Sequence, residues 1–201
     1  MWCVDLYVAG AGGVGRETLD VALAGGQVVT GFVDERLAGA LVRGLPVVAP
    51  GDAPPGAGYV VGVGDPMVRR RLATLLDERR LVPVTLVHPR AVIGPETTLG
   101  PGCVVMAGAH ISSSVRIGRH VQVQYNATVG HDAVLEDLVT VLPGANVAGT
   151  VHLEADVTVG SNAAVLQNLR VGRATVVGAG AVVTRDLAAG LVVMGVPARA
   201  R

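Results

Sequence analysis

The amino-acid sequence predicts a small α/β domain of Rossmann-like type over residues 1–84, followed by a parallel β-helix of hexapeptide repeats over residues 85–201. Two patterns support this division. Strand-like and helix-like segments alternate in the first part, and a six-residue repeat of aliphatic side chains runs through the second. The composition agrees, because hydrophobic residues make up 50% of the chain and aromatic residues only 2%. Such a core has to be built from Val, Ile and Leu packed in short strands.

The charge balance and the cysteines restrict the expected partners and compartment. Lys and Arg together number 16, as do Asp and Glu, so the chain has no formal net charge. Proteins that bind nucleic acid or anionic membranes usually carry a basic excess, so we expect neither partner. No apolar run approaches the roughly 18 residues that a membrane span needs. Cys3 and Cys103 lack the spacing of a metal site or a disulfide framework, which favours two reduced thiols in a cytoplasmic protein.

The N-terminal domain is expected to alternate strands with helices. A first strand over 4–9 leads through the glycine-rich stretch 10–15 into a helix over 16–24, which Gly25 and Gly26 terminate. Strands that alternate with helices indicate a parallel sheet. The remaining expected elements are strands over 28–33, 45–48 and 59–63 and an amphipathic helix over 66–80.

The glycine-rich stretch has two functional interpretations. A strand, a glycine turn and a helix N-terminus together form a site for an anion. Asp34 follows Gly10 at close to the spacing of about 20 residues that separates the ribose-binding acid from the glycines of a dinucleotide fold. Residues 1–84 supply only one nucleotide-binding half, however, so a nicotinamide-dependent oxidoreductase is the weaker interpretation.

In the second domain, an aliphatic side chain recurs at every sixth position without interruption. Small or β-branched residues occupy most positions two residues earlier, and Cys103 is one of them. Three such hexapeptide units complete one coil whose interior the aliphatic side chains fill, so we expect Cys103 to be a buried, unreactive thiol. The aliphatic positions are Val87, Ile93, Leu99, Val105, Ile111, Ile117, Val123, Val129, Leu135, Val141, Val147, Leu153, Val159, Val165, Val171, Val177 and Val183.

His131 and Asp132 are the strongest candidates for chemistry in the repeat. His131 follows the interior Val129 by two positions, so its side chain is expected to point outward. Asp132 can hold one ring nitrogen and leave the other free to accept a proton. Gly149 lies three hexapeptide units beyond His131, one coil farther along the same face, where a glycine lets a substrate approach a backbone N–H. The alternative for His131 is a surface histidine that caps a turn.

The other histidines do not indicate a metal site. His88 opens the first coil and is expected to bond to the backbone. No two of His110, His120, His131 and His152 are separated by a whole number of coils, so none of them stack directly. The zinc site of the β-helical carbonic anhydrases needs three histidines that converge from two chains. We therefore expect no metal.

Several short stretches occur in an order that is typical of one family. They are 8–17 (VAGAGGVGRE), 31–34 (GFVD), 61–65 (VGVGD), 88–94 (HPRAVIG), 129–132 (VGHD), 178–186 (GAGAVVTRD) and 195–199 (GVPAR). Together they extend over nearly the whole chain. The chain resembles the hexapeptide-repeat sugar acyltransferases, in particular the group of sialic acid O-acetyltransferases and nucleotide-aminosugar N-acetyltransferases.

The resemblance implies a left-handed β-helix, a homotrimer, and acetyl-CoA bound in the groove between neighbouring helices. It also implies that His131 is the catalytic base, that Asp132 assists it, and that the backbone amide of Gly149 meets the acyl carbonyl. The C-terminal part would line the coenzyme site, where Arg173, Arg185, Arg199 or Arg201 either pairs with a coenzyme phosphate or is a solvated end charge. The implied cofactor-binding positions are Gly149, Ala179, Arg185 and Pro197.

For the N-terminal domain, the resemblance implies a nucleotide-linked sugar in place of a dinucleotide. Asp34 would lie near the nucleoside, and the glycine turn would surround the phosphate or the sugar. The implied substrate-binding positions are Gly10, Gly12, Gly13, Asp34, Gly64 and Asp65. The chain departs from its relatives at three positions. Many relatives have histidine in place of Val14, asparagine is common in place of Gln124, and some relatives carry a second active-site histidine in place of Thr140.

These features predict an acetyl-CoA-dependent N-acetyltransferase that acts on a nucleotide-linked amino sugar by direct acyl transfer. One alternative is a sugar O-acyltransferase of the sialic acid type, with the same helix and a different acceptor. Another is a non-catalytic scaffold that binds a nucleotide. The presence of His131, Asp132 and Gly149 together argues against the scaffold.

Overall fold

The structure is a computed structural model that describes residues 5–201. Cys3, and Val4 in the expected first strand, lie outside the described residues. The chain forms an N-terminal α/β domain followed by a solenoid, as the sequence predicts. The two parts pack against each other along one side of the solenoid.

The N-terminal domain is a six-stranded sheet with two helices. The strand order is β3-β4-β2-β1-β5-β6, and every pairing is parallel except the β3–β4 hairpin. The central strands β1 and β5 are buried along their whole length, as expected of parallel strands covered on both faces. The elements are β1 (Leu6–Ala9), α1 (Gly13–Ala24), β2 (Gly31–Val33), β3 (Leu41–Val42), β4 (Leu45–Val48), β5 (Gly58–Val61), α2 (Pro66–Glu78) and β6 (Val82–Pro83).

Some element boundaries differ from those predicted from the sequence. Helix α1 begins at Gly13 instead of residue 16, because the second half of the glycine turn takes helical geometry. Strand β2 begins at Gly31, which pairs with Tyr7, so residues 28–30 precede the strand. Helix α2 ends at Glu78, and Arg80 beyond it has a φ of 62°, which a helix cannot continue through.

The solenoid is a left-handed parallel β-helix with three faces, made of short strands with a turn at each edge. The first face contains β7 (Leu86–Val87), β10 (Val104–Val105), β13 (Gln122–Val123), β16 (Thr140–Val141), β19 (Thr158–Val159), β22 (Val176–Val177), β24 (Val192–Met194) and β25 (Arg199–Ala200). The second contains β8 (Val92–Ile93), β11 (His110–Ile111), β14 (Thr128–Val129), β17 (Asn146–Val147), β20 (Ala164–Val165) and β23 (Val182–Val183). The third contains β9 (Thr98–Leu99), β12 (Arg116–Ile117), β15 (Val134–Leu135), β18 (His152–Leu153) and β21 (Arg170–Val171).

The repeating aliphatic side chains form the interior of the solenoid. From Val105 to Val183 each of these positions is at most 5% exposed. The first three, Val87, Ile93 and Leu99, are partly exposed because the first coil has a neighbour on one side only. Each coil therefore completes its apolar contacts by stacking on the next.

Cys103 is free and buried in this interior, as the repeat predicts. Its Sγ lies 3.0 Å from the carbonyl oxygen of Gly118. Burial raises the pKa of the thiol to about 11, so little thiolate forms at neutral pH. A thiol in this state packs as a small apolar side chain.

The N-terminal domain covers the first face of the solenoid and the edge between its third and first faces. On the face, Leu86, Val104 and Met106 share one core cluster with Leu19 and Phe32 of the N-terminal domain. The edge between the second and third faces lies opposite this docked side. Among the described residues, neither helix is long and apolar enough to cross a bilayer.

Candidate active site

His131 lies in the turn between β14 and β15, at the edge between the second and third faces. Its Nδ1 is 2.7 Å from Oδ2 of Asp132, whose φ of 59° bends the turn so that the two side chains meet. An ionised carboxylate can only accept a hydrogen bond, so the facing Nδ1 carries the proton and Nε2 keeps a free lone pair. Both side chains are exposed, so this lone pair is available to a substrate.

Gly149 stacks directly beside His131 on the next coil. The N–H of Thr150 donates to the carbonyl oxygen of His131 at 2.8 Å, so no bulge interrupts the register. A β-carbon at residue 149 would lie 2.7 Å from Nε2 of His131, closer than packed atoms approach. The spacing of three hexapeptide units is thereby confirmed as one coil, and the imidazole occupies the space that the missing side chain leaves.

The backbone N–H of Gly149 is a free donor beside the imidazole. Within residues 5–201 it has no protein acceptor, whereas the N–H groups of Ala148 and Thr150 are both bonded. Gly130 permits this arrangement, because a β-carbon there would collide with the nitrogen of Gly149. A base with a free lone pair and an N–H donor therefore lie together, which acyl transfer requires.

A groove of about 250 Å³ opens at this point of the edge. Its lining adds three residues that the sequence reasoning missed, namely Thr150, Gln167 and Asn168. Their signal was present in the sequence, because Gln167 follows Gly149 by the same interval of one coil that separates Gly149 from His131. Arg185 lies one coil later on the same edge, after β23, in a turn that is two residues shorter than the one before it.

The implied cofactor positions do not all lie on the edge that carries His131. Arg185 is exposed there, three coils beyond His131, or roughly 14 Å at 4.8 Å per coil. Ala179 is exposed in the turn between the first and second faces, and Pro197 is exposed in the segment that joins β24 to β25. A single chain therefore presents these positions on two different edges of the solenoid.

The glycine turn of the N-terminal domain is held by Asp34. One carboxylate oxygen accepts from the N–H of Ala11 and the other from the N–H of Arg36, both at 3.0 Å. Gly10 has a φ of 96°, and a β-carbon on it would lie 2.7 Å from the side chain of Val63. Asp34 and Gly10 therefore shape the turn, whatever else they contact.

Gly12 and Gly13 differ from Gly10, because a β-carbon on either would meet no atom within 4 Å. They lie at the start of α1, where no side chain caps the helix. Helix α2, in contrast, is capped by Asp65, which accepts from the N–H of Val68 at 2.9 Å. The start of α1 thus leaves open space and free N–H groups suited to an anion, whereas Asp65 is engaged as a helix cap.

Gly64 lies next to the glycine turn and is tied to the solenoid. A β-carbon on it would approach the side chain of Val14 at 3.8 Å. Its carbonyl oxygen accepts from Nη1 of Arg69 at 3.0 Å and from Oγ1 of Thr140 at 3.3 Å. Thr140 is fully buried in this contact, so it does not face the groove of His131.

The glycine turn and His131 lie on opposite sides of one chain. The N-terminal domain covers the first face, and His131 is on the edge opposite that face. No residue of the N-terminal domain lines the groove of His131. Within one chain, the two candidate sites therefore do not adjoin each other.

The other histidines have structural surroundings. Nδ1 of His88 accepts from the backbone N–H of Arg90 at 3.0 Å, as expected. His120 is buried between the domains and stacks on Tyr59 at a centroid distance of 5.8 Å. Nε2 of His152 is 2.7 Å from Oε1 of Glu136. In the described part of the chain, no three His, Cys, Asp or Glu residues converge as metal ligands.

A larger groove of about 450 Å³ lies on the third face and does not include His131. Some of its charged side chains are paired. Arg70 bonds to Asp156 at 2.6 Å, and Glu136 holds His152 and the N–H of Ala155. No histidine lines this groove, so it lacks the imidazole base found beside Gly149, and the smaller groove is the better candidate for chemistry.

The comparisons with known proteins agree with these features in both domains. A family model described as the PglD N-terminal domain matches residues 5–76. GDP-perosamine N-acetyltransferase of Escherichia coli O157:H7 is 32% identical over 153 residues, which cover 71% of this chain and 69% of that protein.

Two solved structures cover almost the full length of the chain. The acetyltransferase domain of PglB from Neisseria gonorrhoeae FA1090, in complex with acetyl coenzyme A, is 31% identical with a TM-score of 0.93, and 100% of both chains is covered. PerB from Caulobacter crescentus, in complex with CoA and GDP-perosamine, is 30% identical with a TM-score of 0.91, and the match covers 98% of this chain and 97% of that one.

Proposed function

The chain belongs to the hexapeptide-repeat nucleotide-aminosugar N-acetyltransferases, and from that premise we propose that His131 is the general base that directs acetyl transfer to a nucleotide-linked amino sugar. The co-substrate is acetyl-CoA. The observation that carries the proposal is the stacking of His131 on Gly149, because it joins a free lone pair to a free N–H donor.

In the proposed reaction, the amine nitrogen of the sugar attacks the thioester carbonyl carbon of acetyl-CoA. Nε2 of His131 takes the proton that the nitrogen loses as the new C–N bond forms. Asp132 holds Nδ1–H and stabilises the imidazolium that results. The C–S bond then breaks, and the imidazolium can return the proton to the departing thiolate. No acyl-enzyme is needed.

The N–H of Gly149 would stabilise the negative charge that develops on the acyl oxygen. Such donors are effective when they are fixed before the reaction begins. The position of Gly149 is fixed by the bond between Thr150 and His131 and by the close approach of Gly130. The pantetheine arm would then follow the groove past Gln167 towards Arg185, whose guanidinium would pair with a phosphate of the coenzyme.

We assign the nucleotide of the acceptor to the glycine turn. The open space over Gly12 and Gly13 and the uncapped start of α1 suit a diphosphate. Asp34 supports the turn through Ala11 and retains lone pairs that could accept from a ribose hydroxyl. GDP-perosamine is the first acceptor to test, because it is named for two relatives with 30% and 32% identity.

We further propose that the enzyme acts as a homotrimer with sites shared between chains. A sugar bound at one chain's glycine turn lies across the solenoid from that chain's own His131, so a neighbouring chain has to supply the base. The same sharing would unite Arg185 on one chain with Ala179 and Pro197 on the next. Because nucleotide sugars and acetyl-CoA are made in the cytoplasm, we place the reaction there.

The test is a panel of GDP-linked and UDP-linked amino sugars, incubated with acetyl-CoA and followed by release of free thiol. We expect turnover with at least one amino sugar and an N-acetylated product by mass spectrometry. A matched hydroxyl sugar should give none. Preferred use of the hydroxyl sugar would establish the O-acyltransferase alternative, and failure to bind acetyl-CoA by calorimetry would support a non-catalytic scaffold.

A further inference from the structure

Arg69, in the first turn of α2, has no exposed surface and joins the two domains. Its Nη1 donates to the carbonyl oxygens of Val63 at 2.8 Å and Gly64 at 3.0 Å. Its Nη2 donates across the interface to the carbonyl oxygen of Leu138 at 2.6 Å and to Oγ1 of Thr140 at 2.7 Å. One terminal nitrogen thus bonds to each domain.

The bonds of Arg69 make its burial dependent on how the domains are docked. A buried charge is strongly unfavourable unless polar groups replace its water shell. Burial lowers the pKa of Arg69 to about 10, so the guanidinium is still protonated at neutral pH. Its partners are neutral oxygens, and the solenoid supplies three of the five. If the domains rotated or slid, Nη2 would lose these acceptors while still shielded from water.

The segment that Arg69 holds is in contact with the glycine turn. A β-carbon on Gly10 would lie only 2.7 Å from Cγ2 of Val63. The neighbouring Gly62 is packed against Gly15 so closely that a β-carbon on Gly62 would lie 2.6 Å from the α-carbon of Gly15. A shift of Val63 and Gly64 would therefore be passed directly to the proposed phosphate site.

From these contacts we propose that Arg69 is a positioning residue, which fixes the nucleotide-binding domain on the solenoid and so sets where the acceptor amine meets His131. This inference rests on the proposed function and on the sharing of sites between chains. Displacement of a reacting group by about 1 Å can cost about 10²-fold in rate. The orientation of the domain is thus part of the catalytic geometry, although Arg69 touches neither substrate.

The other contacts across the interface keep the domains together when Arg69 is changed. Nε2 of Gln122 donates to the carbonyl oxygen of Val61 at 2.9 Å. Arg70 pairs with Asp156 at 2.6 Å, and its side chain is 40% exposed. Arg70 is therefore a matched control, since it adjoins Arg69 and crosses the same interface without being buried.

The experiment compares Arg69→Met, Arg69→Lys and Arg70→Met with the unchanged enzyme. With GDP-perosamine and acetyl-CoA, Arg69→Met should lower kcat by about 10- to 100-fold. The dissociation constant for acetyl-CoA, measured by calorimetry, should stay within about threefold, and that for GDP should rise by a smaller factor than kcat falls. The kcat of Arg69→Lys should lie between those of Arg69→Met and the unchanged enzyme, because an ammonium group reaches fewer of the carbonyl oxygens. Arg70→Met should stay near the unchanged enzyme.

A second variant covers the case in which Arg69→Met does not fold. Thr140→Val keeps the shape of the side chain and removes the hydroxyl that accepts from Nη2 and donates to Gly64, so it should lower kcat in the same direction by a smaller factor. An unchanged kcat in both Thr140→Val and Arg69→Lys would overturn the proposal. So would a parallel loss of acetyl-CoA and GDP binding, because that pattern indicates general damage to the fold.

A readout without substrate separates this inference from the proposed function. The amides of Gly10 and Gly62 are bonded within the N-terminal sheet, to Val33 and Ala9 respectively. Their hydrogen exchange should accelerate in Arg69→Lys, while exchange around His131 stays unchanged. If the unchanged enzyme acetylates no acceptor, the proposed function fails but faster exchange still supports the role of Arg69. If the unchanged enzyme acetylates an acceptor and exchange in Arg69→Lys is not faster, the role of Arg69 is rejected and the proposed function stands.

Discussion

The imidazole of His131 lies over the α-carbon of Gly149, in the space that a side chain at residue 149 would fill. The two residues come from successive coils and form one unit. The sequence suggested that Gly149 admits a thioester to a backbone N–H. The structure gives this glycine an additional role, because only a residue without a β-carbon leaves the imidazole its position.

The first prediction concerns His131. His131→Asn should lower kcat by about 10² to 10⁴, as expected for loss of a general base. Binding of acetyl-CoA should persist, because the imidazole is not expected to hold the coenzyme. Stopped assays of thiol release and calorimetry measure the two effects. His110→Asn is the control, since His110 is exposed on the second face outside the groove. Equal rates for the two variants would exclude His131 as the base.

Gly149→Ala tests the stacking itself. The added methyl would lie 2.7 Å from Nε2 of His131, so the imidazole has to swing away from the free N–H. We expect kcat to fall by about 10- to 10³-fold, by loss of part of the base and oxyanion contributions. Gly25→Ala is the control, because its β-carbon would contact nothing closer than 3.5 Å. Wild-type kinetics in Gly149→Ala would contradict the stacking of the two residues.

Asp34→Ala tests the support of the glycine turn. Without the carboxylate, the N–H of Ala11 loses its acceptor and the turn loosens. KM for the nucleotide sugar should rise by about tenfold, which corresponds to roughly 1.4 kcal/mol of binding. KM for acetyl-CoA should not change, because the groove of His131, where we propose that the coenzyme binds, is on the opposite side of the chain from the glycine turn. Glu35→Ala alters an exposed neighbour and should have no effect; an equal rise in both KM values would argue against a local role of Asp34.

Sharing of sites between chains can be tested by complementation. Gly13→Glu places a negative charge at the start of α1, which suits the helix but repels a phosphate. This variant and His131→Ala should each be inactive when pure. In trimers assembled from an equal mixture, about a quarter of the sites would combine an intact turn with an intact base. Recovery of activity in co-expressed trimers supports shared sites, whereas no recovery at any ratio would place both groups of a site in one chain.

His120 should make stability depend on pH. Burial between the domains lowers the pKa of His120 to about 4, from an ordinary value of 6.5. Between these values the unfolded chain binds a proton that the native chain does not. The free energy of unfolding should therefore fall by up to about 3 kcal/mol as the pH decreases from 6.5 to 4. Burial dominates the shift, with Arg119 adding to it and Asp77 opposing it.

Urea unfolding at pH 7 and pH 4.5 measures this loss. His120→Asn is the matched variant, because asparagine tolerates the φ of 53° at this turn and does not titrate. Carboxylates that titrate near pH 4.5 affect both proteins alike, so the difference between them isolates His120. A loss of stability equal in both proteins would show that His120 does not contribute.

The solenoid and the pair at its edge could be predicted from the sequence because the repeat encodes their geometry. An aliphatic residue at every sixth position fixes the coil at three hexapeptide units, and simple spacing then brings His131 level with Gly149. The same arithmetic extends to Gln167, which the prediction did not use. Regular folds make such contacts local in structure although they are distant in sequence.

The contacts between the domains could not be predicted in this way. Arg69 occurs among charged residues of an amphipathic helix, and no periodicity distinguishes it from the half-exposed Arg70. Its burial depends on carbonyl groups of the solenoid, which any sequence would supply. The hydrogen bond from the N–H of Ala11 to Asp34 was also not predicted, because Asp34 was expected to contact a nucleoside and not the glycine turn.

The coil length also limits how this enzyme can change over evolution. Each coil of the solenoid stacks on the one before it in register, so His131 and Gly149 remain neighbours only while the chain between them keeps its length. An insertion or deletion of a single residue within a strand there would move the residues that follow it in the same coil out of register. Lineages can therefore vary the residues of this interval, but a change in the length of its strands would move His131 away from the amide beside it.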